Sequence, residues 1–279
     1  MFSTLISTDE LARHLDDPRF AIVDCRHDLA DTGAGERMYR VGHIPGALFM
    51  HLDRDLSGPK TGLNGRHPLP EIDALAATFG RAGIGAATQV VAYDQGGGVW
   101  ASRLWWLLHW LGHRGAAVLD GGLERWRAEG RAVTSAEPEP CSAQFVPQSP
   151  APVASADEIL RHLDDGILFV LDARSPERYR GDVEPIDPIG GHIPGARNRP
   201  HAQNLSPHGV FKSPPELRTE FERLLGATSP AKVVHQCGSG VTACHNALAM
   251  TIAGFPGSRL YPGSWSEWIA DPARPIARG

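Results

Sequence analysis

Short apolar runs alternate along this chain with longer segments whose apolar residues recur at helical spacing. Residues 231–234 are typical of a short buried strand, and residues 241–253 have the length and spacing of a helix. The first half shows the same alternation, with a strand-like run at residues 21–26 and a helical apolar face over residues 99–111. This alternation predicts an α/β fold of mainly parallel sheets with helices on both faces.

The chain also repeats itself. The six letters from Gly42 to Ala47 return unchanged from Gly191 to Ala196, and strand-like runs at residues 21–26 and 169–174 both end in Asp-x-Arg, which we expect to pair. Matches in one order indicate two copies of one domain. Residues 137–152 are proline-rich and lack a period, so we predict an N-terminal domain over residues 1–136, a linker, and a C-terminal domain over residues 153–279.

Composition narrows the class of protein. The 279 residues are enough for two cores, and 42% hydrophobic against 21% charged residues give no sign of disorder. The net charge of −5 argues against a nucleic-acid partner, and no apolar run predicts a membrane span, so we expect a cytoplasmic protein. The four cysteines follow no metal-ligand spacing, so we expect reduced thiols and no metal.

Candidate chemistry centres on Cys237, between the strand-like run and the helical segment. Gly238 and Gly240 let the backbone curl around the sulfur, and the helix that follows points free N–H groups into that ring. Such a ring favours a thiolate. A cysteine here can also be a small buried residue at a strand end. The two glycines favour the ring, because a plain strand end does not need them.

The stretch from His235 to His245 resembles the active-site loop of the two-domain sulfurtransferases, the rhodanese and 3-mercaptopyruvate sulfurtransferase family. The similarity covers nearly the whole chain and implies two rhodanese-type domains. It also implies that the loop cysteine takes a sulfur atom from a small anionic donor and passes it to a thiol, cyanide or thioredoxin, with no cofactor. We therefore expect a monomeric ping-pong enzyme with a Cys237 persulfide. The N–H groups of the ring would stabilise that persulfide and bind substrate, and they belong to Gly238, Ser239, Gly240, Val241 and Thr242.

The repeat provides an internal comparison at this loop. Aligning the two copies places Asp94 opposite Cys237. A carboxylate cannot accept a sulfur atom and pass it on. We therefore predict that the N-terminal domain is catalytically silent, as the resemblance also implies.

The donor is predicted from residues near the loop. Thiosulfate enzymes of this family carry basic residues directly after the cysteine, whereas this chain has Gly238 and Ser239, which look like the mercaptopyruvate enzymes. Arg178 falls where the family keeps a substrate-binding arginine, although it could also be a surface arginine. Ile186 stands where those enzymes commonly have a second one. We expect 3-mercaptopyruvate as donor, with thiosulfate, in a rhodanese reaction with cyanide, as the alternative.

Proton transfer has weaker candidates. The resemblance suggests a relay of a loop serine, a histidine and an aspartate, for which Ser239, His43 and Asp31 are the matches. The second copy keeps its turn histidine at His192, so His43 could equally stabilise its turn.

Two other classes of protein use similar folds. Cysteine phosphatases need an arginine six residues after the cysteine, where this chain has Ala243, and non-catalytic rhodanese-like binding proteins lose the cysteine. Release of thiocyanate from a sulfur donor and cyanide separates an active sulfurtransferase from both.

Overall fold

A computed structural model describes residues 1–139, 141–148 and 150–279. The chain divides into two compact units, the first made of residues 1–58, 70–151 and 207–211, and the second of residues 59–69, 152–206 and 212–279. Each unit therefore takes in one short segment from the other half of the sequence, which the continuous predicted boundaries did not anticipate. The predicted linker at 137–152 contains positions 140 and 149, which lie outside the described residues.

The first unit is built on a parallel sheet. Its strands, among the described residues, are β1 (Leu5–Ile6), β2 (Phe20–Asp24), β3 (Leu48–Phe49), β4 (Gln89–Tyr93) and β5 (Ala116–Leu119). They pair in the order β1-β5-β4-β2-β3. The helices packed around the sheet are α1 (Thr8–Ala12), α2 (Ala34–Val41), α3 (Ile72–Arg81), α4 (Ala101–Trp110) and α5 (Gly122–Ala128).

The second unit repeats this plan. Its described strands are β6 (Phe169–Asp172), β7 (Arg197–Asn198), β8 (Val233–Gln236) and β9 (Arg259–Leu260), and they pair in parallel in the order β7-β6-β8-β9. The helices are α6 (Ala156–Arg161), α7 (Pro176–Arg180), α8 (Pro214–Leu225), α9 (Thr242–Ile252) and α10 (Ser264–Trp268). The order β3-β2-β4-β5 in the first unit equals β7-β6-β8-β9 here, so the predicted tandem α/β architecture is confirmed.

The predicted charge pairs lie at the ends of β2 and β6. The Arg26 guanidinium is 2.7 Å from the Asp24 carboxylate, and the Arg174 guanidinium is 2.6 Å from that of Asp172. All four side chains are buried. Each arginine also donates to the carbonyl of the glycine that opens the repeated turn. A buried pair with several hydrogen bonds is costly to break, so it fixes the turn relative to the sheet.

Helix positions agree with the pattern of apolar residues more closely than strand positions do. The segment predicted at 241–253 forms α9 over Thr242–Ile252, and the one predicted at 99–111 forms α4. The strand expected at 231–234 starts later, at Val233, because Pro230–Lys232 forms a short 3-10 turn. Across the described chain, every helix is too short or too polar for a membrane span.

Candidate active site

Cys237 follows β8 directly and is the first residue of a ring loop, residues 237–242. Its side chain is buried, and its Sγ accepts hydrogen bonds from the amides of Gly240 at 3.2 Å and Ser239 at 3.5 Å. Gly240 has a φ of +77°, and a methyl group built on it would collide with the carbonyl oxygen of Pro262. The glycine therefore allows the chain to turn amides toward the sulfur, an arrangement that stabilises a thiolate or a persulfide anion.

A second turn supports the backbone of the cysteine. The Cys237 amide donates to Ser264 Oγ at 3.1 Å, and the Ser264 hydroxyl donates to the Tyr261 carbonyl at 2.9 Å. The Cys237 carbonyl accepts from the Trp265 amide at 3.0 Å. Ser264 has a φ of 53°, which residues other than glycine seldom adopt. The cysteine is thus held by a serine in a strained conformation.

Ser239 bonds to a histidine that the sequence did not single out. Its Oγ lies 2.8 Å from Nδ1 of His67, and both side chains are buried. His67 belongs to the segment 59–69 that packs in the second unit. A serine and an imidazole at this distance can share or pass a proton. The structure therefore places His67, rather than the predicted His43, beside Ser239.

His43 is occupied within the first unit. Its Nδ1 lies 2.8 Å from the carbonyl of Tyr39, its Nε2 lies 3.1 Å from that of Ala136, and its ring stacks on Tyr39. In the second unit, His192 repeats the bond and the stacking with Tyr179. The same geometry in both copies favours the turn-stabilising interpretation.

Asp31 is exposed and pairs with Arg37, whose hydrogen bond lowers the pKa of the Asp31 carboxyl. Its partner is thus an arginine rather than the predicted histidine. Participation of His43 and Asp31 in proton transfer stays a prediction.

Two guanidinium groups flank the start of the ring loop. A methyl group built on Gly238 would lie 2.8 Å from a nitrogen of Arg66 and 3.3 Å from one of Arg178. Glycine at this position therefore lets both arginines approach the ring. Arg66 supplies the second cation near the loop that the sequence appeared to lack at Ile186, whose own side chain is exposed. Burial lowers the pKa of Arg66, and the neighbouring Cys237 opposes that shift.

Both arginines are held by carboxylates. Arg178 Nε lies 3.0 Å from each carboxylate oxygen of Glu184, and its Nη2 lies 3.0 Å from Asp187. Asp187 also accepts a hydrogen bond from Arg66. The Arg178 side chain is only 17% exposed, so it is not the surface arginine of the alternative interpretation. Two positive and two negative side chains thus lie together beside the ring.

Other basic side chains of the second unit lie in different surroundings. Arg199 pairs with Glu220 at 2.6 Å, and the Arg197 guanidinium lies over the Phe169 ring. His235 is fully buried, and burial lowers its pKa to about 3. A histidine with that pKa is neutral at physiological pH and a poor base, and the Nε2 of His235 lies 3.1 Å from the Ser258 hydroxyl, so we interpret it as a packing and hydrogen-bonding residue.

The first unit forms a corresponding ring at residues 94–100, here called the silent ring. The buried Asp94 carboxylate accepts hydrogen bonds from the amides of Trp100 at 2.7 Å, Gly98 at 3.1 Å and Ala101 at 3.3 Å. Burial raises the pKa of Asp94 to about 6. The amides of this ring therefore bind a carboxylate of the chain itself.

One group of potential metal ligands occurs in the part of the chain that the structure describes. His27, His51 and Asp53 place one ligand atom each within 4.8 Å of the others. His51 already uses Nε2 on the Thr32 carbonyl at 2.9 Å and Nδ1 on the Asp53 amide at 3.0 Å. A metal would have to break one of these bonds, so the arrangement does not fit a metal centre.

Comparison with known proteins agrees with this geometry. The family profile described as "Rhodanese-like domain" matches residues 7–129 and 155–271. A protein of Pseudomonas aeruginosa named "Probable 3-mercaptopyruvate sulfurtransferase" is 47% identical over 278 residues, which cover 99% of this chain and 98% of that protein. The "Thiosulfate sulfurtransferase" of Cricetulus griseus is 33% identical over 294 residues, which cover 100% of this chain and 97% of that protein.

A solved structure shows the same arrangement of elements. The 3-mercaptopyruvate sulfurtransferase from Leishmania major superposes with a TM-score of 0.84 at 33% sequence identity, covering 95% of this chain and 74% of that one. Relatives with either donor in their names thus match this chain over nearly its whole length.

Proposed function

This chain belongs to the rhodanese-like family and is a sulfurtransferase, and we propose that its sulfur donor is 3-mercaptopyruvate. The observation that carries this proposal is the pair of guanidinium groups, Arg66 and Arg178, beside Gly238 of the ring loop. A guanidinium binds a carboxylate through two parallel hydrogen bonds, which suits the carboxylate end of this donor.

The first half-reaction would begin at Cys237. Its thiolate attacks the donor sulfur, a sulfur–sulfur bond forms, and the carbon–sulfur bond breaks. The electron pair of that bond passes to carbon, where the adjacent carbonyl delocalises it as an enolate. The carbon then takes a proton, so pyruvate leaves and Cys237 keeps one extra sulfur atom as a persulfide. The amides of Ser239 and Gly240, which bond to Sγ, support the anionic sulfur before and after transfer.

Ser239 and His67 would handle the charge on the leaving group. The Ser239 hydroxyl can donate to the donor carbonyl as it becomes an enolate oxygen, and His67 at 2.8 Å orients that hydroxyl. This role needs the carbonyl of 3-mercaptopyruvate, which thiosulfate does not have. The pair of residues is therefore a second feature that supports this donor.

The second half-reaction would transfer the persulfide sulfur to a thiophile. A thiol, cyanide or thioredoxin as acceptor, a cytoplasmic location and a monomeric state rest on the sequence alone and stay predictions.

Steady-state kinetics test the donor directly. kcat/KM is measured for 3-mercaptopyruvate and for thiosulfate with one common thiol acceptor. We expect the larger value for 3-mercaptopyruvate, and mass spectrometry should find one added sulfur atom on Cys237 after donor treatment without acceptor. A larger value for thiosulfate would contradict the proposed donor, whereas an unmodified Cys237 would contradict the persulfide.

A further inference from the structure

Asp187 bridges the two arginines beside the ring loop. Its Oδ1 accepts a hydrogen bond from Arg66, and its Oδ2 lies 3.0 Å from Nη2 of Arg178. The carboxylate is 3% exposed, so water screens it little. A single buried carboxylate therefore contacts both guanidinium groups and lowers their net charge by one.

The backbone around Asp187 fixes this position. The amides of Ile186 and Asp187 both lie 3.1 Å from Oε1 of Glu184, whose oxygens also bind Arg178. Glu184 is buried as well, with a side chain 5% exposed. The short turn 184–187 thus presents two carboxylates to two guanidinium groups.

Some hydrogen-bonding capacity remains for a ligand. Nη1 of Arg178 would lie 3.5 Å from a methyl group on Gly238, so it faces the ring loop. Nε of Arg66 is buried and has no hydrogen-bond partner among the residues that the structure describes. Buried donors without an acceptor are rare in folded proteins and often mark a place where a ligand binds.

We propose, on the basis of the proposed function, that Asp187 is a specificity-determining residue that makes the arginine pair selective for a donor with one negative charge. Two arginines alone would present two positive charges to the ring loop, which suits the thiosulfate dianion. Asp187 and Glu184 offset the two charges of this pair. Arg174, 3.6 Å from Glu184, has its own carboxylate in Asp172. Directional N–H groups thus remain for one carboxylate without a net positive charge. The ring then favours 3-mercaptopyruvate through geometry and disfavours a dianion through charge.

Coulomb's law determines the direction of the test. Removing the Asp187 charge adds one positive charge to the site, and the interaction energy with that charge is twice as large for a dianion as for a monoanion. Asp187→Asn keeps the size of the side chain and can still accept a hydrogen bond. We expect it to raise the ratio of kcat/KM for thiosulfate to that for 3-mercaptopyruvate by about tenfold at low ionic strength.

Two further variants control this experiment. Asp187→Glu keeps the negative charge, so its ratio of kcat/KM for thiosulfate to that for 3-mercaptopyruvate should be close to the ratio of the wild type. Asp182→Asn removes a carboxylate that pairs with Arg180 in the same segment and is 54% exposed, so it should leave the ratio unchanged. Added salt should reduce the effect of Asp187→Asn, because it screens the dianion more strongly.

The outcomes separate this inference from the proposed function. A wild type without sulfurtransferase activity toward 3-mercaptopyruvate would contradict the proposed donor. An active wild type whose two kcat/KM values fall together in Asp187→Asn would show that Asp187 only supports the fold. If thermal unfolding shows that Asp187→Asn does not fold, Asp187→Ser removes the same charge with a smaller side chain, and a folded, active variant with the wild-type ratio overturns the inference.

Discussion

The two units fold the same strand, ring and helix, yet their rings surround different side chains. The ring loop surrounds a thiol with amides, and the silent ring surrounds the carboxylate of Asp94 with amides. α9 begins five residues after Cys237, whereas α4 begins seven residues after Asp94. The longer silent ring brings three amides to the two carboxylate oxygens. The duplicated fold thus supplies a ring of amides in both units, and the residue at the first position of each ring determines whether a thiol or a carboxylate lies inside it.

The short segments taken from the other half of the sequence differ even more. In the second unit, segment 59–69 brings Arg66 and His67 to the ring loop. In the first unit, segment 207–211 brings Phe211, whose ring would lie 3.3 Å from a methyl group built on Gly98. One segment supplies a guanidinium group and an imidazole, and the other supplies an apolar surface. We therefore expect reactivity to depend on this segment as well as on the cysteine.

The largest expected effect is at the cysteine itself. Cys237→Ser should lower kcat by at least about a thousandfold, because a serine hydroxyl is neither ionised nor able to form a persulfide. Cys141→Ser, at an exposed cysteine, is the matched control and should keep full activity. Adding Asp94→Cys to Cys237→Ser should not restore transfer, because the side chain beside the silent ring, Phe211, is apolar and cannot bind an anionic donor. Restored thiocyanate release in the double variant would show that a cysteine in either ring is sufficient.

The free energy of unfolding should depend on pH through Asp94, the buried carboxylate of the silent ring. Burial raises the pKa of Asp94 to about 6 in the folded state, above its ordinary value of 3.8. Folding therefore takes up a proton in this range, and stability rises as the pH falls through 6 toward 4. Ionised Asp94 weakens the fold at pH 8 by about 3 kcal/mol at most.

Asp94→Asn removes this titration. The free energy of unfolding, measured with urea for the wild type and the variant, should shift in favour of the wild type by about 2.5 kcal/mol between pH 8 and pH 4. A difference that does not change with pH would contradict a raised pKa.

Arg178 lies beside the ring loop, and its counterpart in the first unit is Met38. The two residues are equivalent because they precede Tyr179 and Tyr39, which stack on equivalent histidines. Arg178→Lys should lower kcat/KM for 3-mercaptopyruvate by about tenfold to a hundredfold, because lysine keeps the charge but loses the two-pronged hydrogen bonding. Arg180→Lys, on the same helix, is the control and should change little. A change within about twofold for Arg178→Lys would exclude it as the carboxylate anchor.

Because the chain contains two copies of one domain, much of its fold could be predicted from the amino-acid sequence. The alternation of strands and helices, the Asp-Arg pairs and the Asp94–Cys237 correspondence follow from local patterns that occur twice. Helix ends were accurate because apolar spacing defines them, whereas the start of β8 shifted because Pro230 begins a 3-10 turn. The repeat also held the clue to His43, since His192 makes the same bond and stacking interaction.

The remaining site residues could not be found this way. His67 is 172 positions from Ser239, and its Gly-Arg-His-Pro surroundings have no periodicity and no repeated counterpart. Which side chains meet at the ring loop depends on where segment 59–69 packs, and that packing involves contacts distant in sequence. The second arginine beside the ring loop, Arg66, comes from the same segment, so the sequence around Ile186 gives no sign of it.

Ser264 provides the finest test of how the two rings differ. It is equivalent to Gly122 of the first unit. The amide of the residue after Ser264 donates to the Cys237 carbonyl, and the amide of the residue after Gly122 donates to the equivalent Asp94 carbonyl. Gly122 has a φ of 57° and Ser264 a φ of 53°. A left-handed conformation costs a serine about 1 kcal/mol more than a glycine, and the hydroxyl gains the hydrogen bond from the Cys237 amide.

Ser264→Gly should therefore change the free energy of unfolding by less than about 1 kcal/mol, because relief of strain offsets the lost hydrogen bond. It should nevertheless lower kcat by about tenfold, since the Cys237 backbone loses the group that positions it. Ser264→Ala removes the hydroxyl but keeps the strain, so it should lose the same activity and also about 1 to 2 kcal/mol of stability. The two variants together separate positioning from folding. Equal activities with unequal stabilities would support the positioning role of the Ser264 hydroxyl. A glycine variant with full activity would show that the backbone conformation found in the silent ring is sufficient to position the cysteine.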